Sequence, residues 1–213
     1  MRELHNWLRQ ERCALCIIDV QQDFVPPLSV PGEACEAVRS ALENVSRLYQ
    51  AARQADMCIF FIGLHTSPET DSPVWRKFMR RAGKDPGLTS RLCRAHTAGA
   101  TFYPLSPSQT DTVIYKHKYS AFLGTDFKQQ LINKGITALI ICGLTTECCV
   151  DTTARDAFQL DYSVFIVSDG CASYRPDFHD AALNILSHHF AITCTTEQVV
   201  SFFHNSGRQK NKS

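Results

Sequence analysis

No stretch of the 213 residues approaches the ~18 consecutive apolar residues of a membrane span. The opening segment MRELHNWLRQER is polar and charged and holds no apolar run of signal-peptide length, so a cytoplasmic protein is the expectation. An excess of one charge is missing too. Twenty-two Lys and Arg oppose 21 Asp and Glu, which leaves no global field to draw the chain to nucleic acid or to an anionic membrane. A small, weakly charged partner is expected instead. Internal repeats and an interdomain linker are also lacking. The length suits one hydrophobic core, expected over residues 1–205, followed by a frayed polar tail at 206–213.

What the chain does have is ten cysteines. In a reducing compartment these stay free, and most are expected as small apolar core residues. Six apolar runs read as strands: 14–20, 57–64, 112–119, 138–145, 163–169 and 191–196. The first, second, fourth and fifth are near-continuous in Ile, Val, Phe and Cys, the pattern of parallel strands covered on both faces. Helical periodicity marks 36–55, where Val38, Leu42, Val45, Leu48 and Ala52 form one stripe, and 149–160, with Val150, Ala154, Ala157 and Phe158 inward. Further helices are expected at 125–134, 177–189 and 197–204. The alternation predicts an α/β fold, a three-layer doubly wound sheet of about six mainly parallel strands with helices on both faces. Residues 67–107 hold five of the nine prolines and show weak helical patterns only near 75–81 and 90–94. They read as an excursion that shapes a pocket or an interface.

In such sheets ligands bind beyond the carboxyl ends of the strands. Asp19 ends the first strand in apolar surroundings, where burial penalises its charge and suits it to proton transfer. Asp23, four residues on, reads as a turn or capping residue. Lys116 lies in the third run; an isolated lysine there is ordinarily a solvated edge-strand residue. Cys149 opens the helix after the fourth strand, where a helix dipole would lower its thiol pKa. Cys148 lies about 100° around the axis, and pattern alone does not choose between the two. A carboxylate, an ammonium and a thiol at one sheet edge suggest an activated nucleophile. Rival motifs fare worse. Cys149 to Arg155 spells the C-x₅-R of cysteine phosphatases, but Asp151 would repel a phosphate and no glycine lets the backbone wrap it. Cys13 and Cys16 spell C-x-x-C with no second copy, and His188 and His189 read as surface residues near a helix end.

Four separated motifs, CIIDVQQDF, AGATFYPL, KHKYSAFLGTDF and CGLTTECCVDTTARDAF, resemble the isochorismatase-like cysteine hydrolases from about Ala14 to Phe203. The resemblance implies a catalytic triad of Asp19, Lys116 and Cys149, the cysteine being the one that precedes Val150. It also implies a cis peptide between Leu144 and Thr145 that aims the Thr145 and Cys149 amides at an oxyanion. The implied reaction is cleavage of a C–N bond in a small amide, carbamoyl or ureido compound through a cysteine thioester, without a cofactor. N-carbamoylsarcosine amidase, biuret hydrolase and ureidoacrylate amidohydrolase are the branch it resembles. True isochorismatases, which cleave a vinyl ether, typically lack the cysteine; that reaction and a silent binding or assembly module are the alternatives. The D-x-H metal motif of nicotinamidases is replaced here by GLHTSPETDSPVW, so no metal is expected. Phe24, His65, Trp75 and Tyr119 are the candidate substrate-binding residues, and a dimer or tetramer is implied.

Overall fold

The computed structural model describes residues 2–26, 31–87 and 91–210. Six strands form one sheet: β1 (Cys13–Ile18), β2 (Cys58–Leu64), β3 (Thr112–Lys116), β4 (Ala138–Leu144), β5 (Ser163–Ala172) and β6 (Ile192–Cys194). Their order is β3-β2-β1-β4-β5-β6 and every neighbouring pair is parallel. The helices are α1 (Arg2–Arg9), α2 (Glu33–Gln54), α3 (Pro73–Arg81), α4 (Phe127–Asn133), α5 (Asp151–Gln159), α6 (Pro176–His189) and α7 (Thr196–Lys210).

The continuous apolar runs are explained by two-sided cover. Successive strand residues point to opposite faces, and β2 uses both: Phe60 meets Phe127 of α4 edge-on at 5.2 Å, while its neighbour Phe61 meets Tyr49 of α2 at 5.4 Å. All residues of β1 and β4 are buried. α2 buries the expected stripe of Val38, Leu42, Val45, Leu48 and Ala52, extended by Ala41 and Ala51. At ~1.5–3 kcal/mol per buried large aliphatic side chain, this stripe is a principal clamp on its face of the sheet.

Several expectations change. α1 was not anticipated; Leu4 and Leu8, one turn apart, are buried among otherwise polar residues. On α5, Phe158 does not face the core. It is 48% exposed and packs edge-to-face on Phe190, while Thr153 takes a buried position with Ala154 and Ala157. Of the weak pattern at 90–94, position 90 lies outside the described residues, 91–93 form a turn, and Arg94 bridges to Thr66. The final helix runs to Lys210, past the expected start of the tail, and 211–213 lie outside the described residues.

Strand order reverses between β1 and β4, because β2 and β3 lie to one side and β5 and β6 to the other. Adjacent strands that depart in opposite directions leave a crevice at their carboxyl ends. Gly143 permits the close approach there. Its φ is +122°, and an added Cβ would lie 2.0 Å from the Ile18 carbonyl oxygen. Gly143→Ala is therefore expected to cost about 3 kcal/mol or more, through strain at positive φ and a forced shift of β1. Denaturant unfolding checks this; a loss within about 0.5 kcal/mol would show that the strand ends are not tightly fixed.

Candidate active site

Three chain segments meet in the crevice. Asp19 follows β1 directly with φ +50°, a left-handed conformation that Asp tolerates better than most residues. Its amide still donates to the Ile62 carbonyl of β2 at 2.8 Å, so the carboxylate leaves the sheet at a fixed point. Lys116 is the last residue of β3, two strands away and in register with Leu64. Its ammonium donates to Asp19 Oδ2 at 2.8 Å, to the Lys118 carbonyl at 3.1 Å and to Cys149 Sγ at 3.2 Å. Cys149 lies in a π-helical turn, Thr146–Val150, that joins β4 to α5. The peptide between Leu144 and Thr145 is cis.

Burial corrects the edge-strand reading of Lys116. The side chain is wholly inaccessible, and Asp19 with it. Burial disfavours the ammonium, but the Asp19 carboxylate and then Cys149 outweigh it and hold the lysine pKa above its usual value. The thiol of Cys149 departs from expectation in the other direction. Burial first, and the Asp19 charge second, push it well above the ordinary cysteine range, with Lys116 offsetting only part. A π-turn inside a dry crevice does not lower it as an exposed helix N-terminus would. Burial therefore makes the Cys149 thiol hold its proton more tightly than an ordinary cysteine does, while Lys116 holds its proton more tightly than an ordinary lysine. Asp19 Oδ1 is buried and has no hydrogen-bond partner among the described residues, which leaves an acceptor free. Cys148 is half-buried and lines the same cavity; burial, then Glu147, raise its pKa.

Gln21, which the sequence did not single out, and Asp23, read there as a turn or capping residue, hold this arrangement. Gln21 is buried, and its amide donates to the Leu64 and Ala100 carbonyls and accepts from the Leu64 amide. This ties the end of β2 to the excursion. Asp23 accepts from the Cys93 amide at 2.7 Å, against Gly99, where an added Cβ would fall 2.2 Å from its carboxylate. Both polar residues follow the first strand in CIIDVQQDF, which was the available signal.

A cavity of about 520 Å³ opens above the cluster. Phe24, Trp75 and Tyr119 line it, and Trp75 Nε1 donates to Tyr119 Oη at 2.8 Å. His65 does not line it; its ring stacks on Tyr115 with centroids 3.7 Å apart. Asp71 does line the cavity, but Arg94 grips it through both nitrogens and Arg76 adds a third contact at 2.7 Å. A cation would have to displace two guanidiniums at Asp71, so this donor set does not fit a metal ion. No group of three or more His, Cys, Asp or Glu among the described residues is placed to hold one.

Fold and cluster together define a doubly wound α/β protein with a cysteine, a lysine and an aspartate gathered at the switch point. Residues 13–198 match the Isochorismatase domain family, and the chain belongs to it. It is 30% identical over 181 residues to "Ureidoacrylate amidohydrolase RutB" of Yersinia enterocolitica, covering 79% of each chain. Among solved structures it resembles an isochorismatase family protein from Desulfovibrio vulgaris (28% identity, TM-score 0.73, 88% of this chain and 95% of that one). It also resembles nicotinamidase PncA from Bacillus subtilis (26% identity, TM-score 0.71, 86% and 99%). Among the described residues no helix is long and apolar enough to cross a membrane.

Two outcomes follow from the buried pair. Lys116→Met strands the Asp19 charge and is expected to cost about 3–5 kcal/mol, most of it recovered in Asp19→Asn/Lys116→Met. Because the lysine pKa is raised in the fold, the ammonium's contribution is complete below its ordinary value of 10.5 and is lost only as pH climbs beyond it. Denaturant titrations across pH measure both. For the thiol, ultraviolet absorbance that distinguishes wild type from Cys149→Ser should stay flat up to about pH 9, the ordinary thiol value. A thiolate plateau at neutral pH would instead mean a preformed ion pair with Lys116.

Proposed function

We propose that this chain is a cysteine-dependent amidohydrolase acting on a small amide, carbamoyl or ureido compound and releasing ammonia or an amine. The observation that carries the reading is the buried ammonium of Lys116 in contact with both a carboxylate and a thiol, 2.8 Å and 3.2 Å away. Desolvating three such groups together serves stability poorly but suits a nucleophile and its base. The ureidoacrylate amidohydrolase relative supports cleavage of a C–N bond.

The sequence of steps starts from the neutral thiol. Asp19 accepts the Cys149 proton through its free Oδ1 as Sγ attacks the carbonyl carbon, and Lys116 offsets the charge that moves between carboxylate and sulfur. The carbonyl oxygen becomes an oxyanion, received by the amides of Thr145 and Cys149. Collapse breaks the C–N bond; Asp19 returns the proton to the departing nitrogen and leaves a thioester on Cys149. Asp19 then takes a proton from water as its oxygen attacks the thioester, which frees the acid and restores the thiol. Cys148 takes no part in these steps.

Ammonia release from a panel of N-carbamoyl amino acids, biuret, ureidoacrylate and nicotinamide tests the proposal. Wild type and Cys148→Ala are expected to turn over at least one of them, with Cys149→Ala slower by about 10³-fold or more. Full activity in Cys149→Ala, or no turnover of any compound, would overturn it.

A further inference from the structure

The wall of the cavity beyond the reacting groups carries information on what fills it. Cys149, Thr152 and Asp156 all line it; Thr152 and Asp156, four residues apart on one side of α5, continue the wall from the π-helical turn that carries the nucleophile. Seven residues at about 1.5 Å each place Asp156 on the order of 10 Å from Cys149. Between and opposite them the wall is largely apolar, formed by Phe24, Trp75, Tyr119 and Leu123. The hydrogen bond from Trp75 to Tyr119 fixes two of these rings against each other.

Charges on this wall are mostly committed. Asp71 is held by Arg76 and Arg94, and His117 uses Nδ1 on the His65 carbonyl. The Arg fork best suited to a substrate carboxylate is therefore engaged. Lys118, with no side-chain ion pair or hydrogen bond among the described residues, lies exposed at the cavity, whereas Asp156 is set into the wall. It is half-buried on the wall, and its carboxylate makes no ion pair or hydrogen bond among the described residues. A carboxylate at the far end of an apolar slot, with no partner of its own, is a receptor for a cationic or N–H-rich group.

We propose that the substrate is a flat, largely apolar primary amide that carries an amino group about two helical turns from the scissile carbonyl, with Asp156 as the residue that selects it. This rests on the amidohydrolase reading and narrows it. The aromatic walls take the flat body, Cys149 meets the amide carbon, and Asp156 receives the ammonium. Compounds with a distal carboxylate are disfavoured by the same charge.

The test compares benzamide, 4-(aminomethyl)benzamide and 4-carbamoylbenzoic acid as probes for ammonia release. In wild type, kcat/KM should fall in the order aminomethyl, plain, carboxylate. Asp156→Asn should reduce the ratio of aminomethyl to plain by about tenfold, chiefly through KM, as expected for loss of one charge-assisted hydrogen bond. Asp156→Lys should invert the preference toward the carboxylate, a result that a misfolded variant could not give. A wild-type preference for the carboxylate, or a ratio unmoved by Asp156→Asn, overturns the proposal. If all three probes are inert while the ureido panel is hydrolysed, the substrate class fails and the amidohydrolase reading stands. Inertness toward both panels defeats both.

Discussion

The contact between Lys116 and Asp19 governs the rest of this structure. An ammonium and a carboxylate wholly removed from water are costly, and their attraction repays that cost only with close geometry and further hydrogen bonds. Here the geometry comes from strand ends: Asp19 leaves β1 at a positive φ, Lys116 terminates β3, and the Lys118 carbonyl takes another of the ammonium's donors. The third neighbour is the Cys149 thiol. Charge, desolvation and chemistry are thus set by one small group of atoms, and the parallel sheet acts as the frame that holds their spacing.

β3 lies at the edge of the sheet, where a lysine would ordinarily point into water. Here its ammonium turns instead to Asp19, Cys149 and the Lys118 carbonyl, and the excursion between β2 and β3 brings Cys93 within electrostatic reach of the ion pair. Gln21 and Asp23 pin this excursion from the β1 side through Leu64, Cys93 and Ala100, and Asp71 with Arg94 braces it across its own length. α3 lies within the excursion and buries only Met79; its Trp75 faces the cavity and bonds Tyr119. The same segment lies near the ion pair and builds part of the cavity wall, so the cavity and the buried cluster share one set of supports.

The raised pKa of the Cys149 thiol fits this balance of charge. A preformed thiolate would place a second anion against Asp19 in a dry crevice, and a single ammonium does not neutralise two. In the proposed reaction, holding the proton on sulfur until a carbonyl arrives keeps the cluster balanced. The nearby Cys148 is half-buried and feels Lys116 only as the weakest of several influences, without the direct contact to its ammonium that Cys149 makes.

Much of the fold was legible from local pattern. Continuous Ile, Val and Phe runs announced two-sided burial, the stripe on α2 announced a helix against the sheet, and the position of Asp19, Lys116 and Cys149 relative to those runs announced a common edge. Local pattern failed where stability comes from distant partners. α1 is too polar to declare itself beyond Leu4 and Leu8, and Phe158 carries an inward signature yet finds Phe190 outside the core. What the sequence by itself determined is the strand and helix order and the residue types at the carboxyl edge, because periodicity and side-chain chemistry are properties of neighbours along the chain. Only the tertiary structure decided that an edge-strand lysine is buried, that burial pushes the Cys149 thiol pKa up, that Asp71 is taken by arginines and that the Asp156 carboxylate makes no ion pair among the described residues. Each of those depends on which distant group arrives within about 3 Å, and burial and electrostatics are set by that distance.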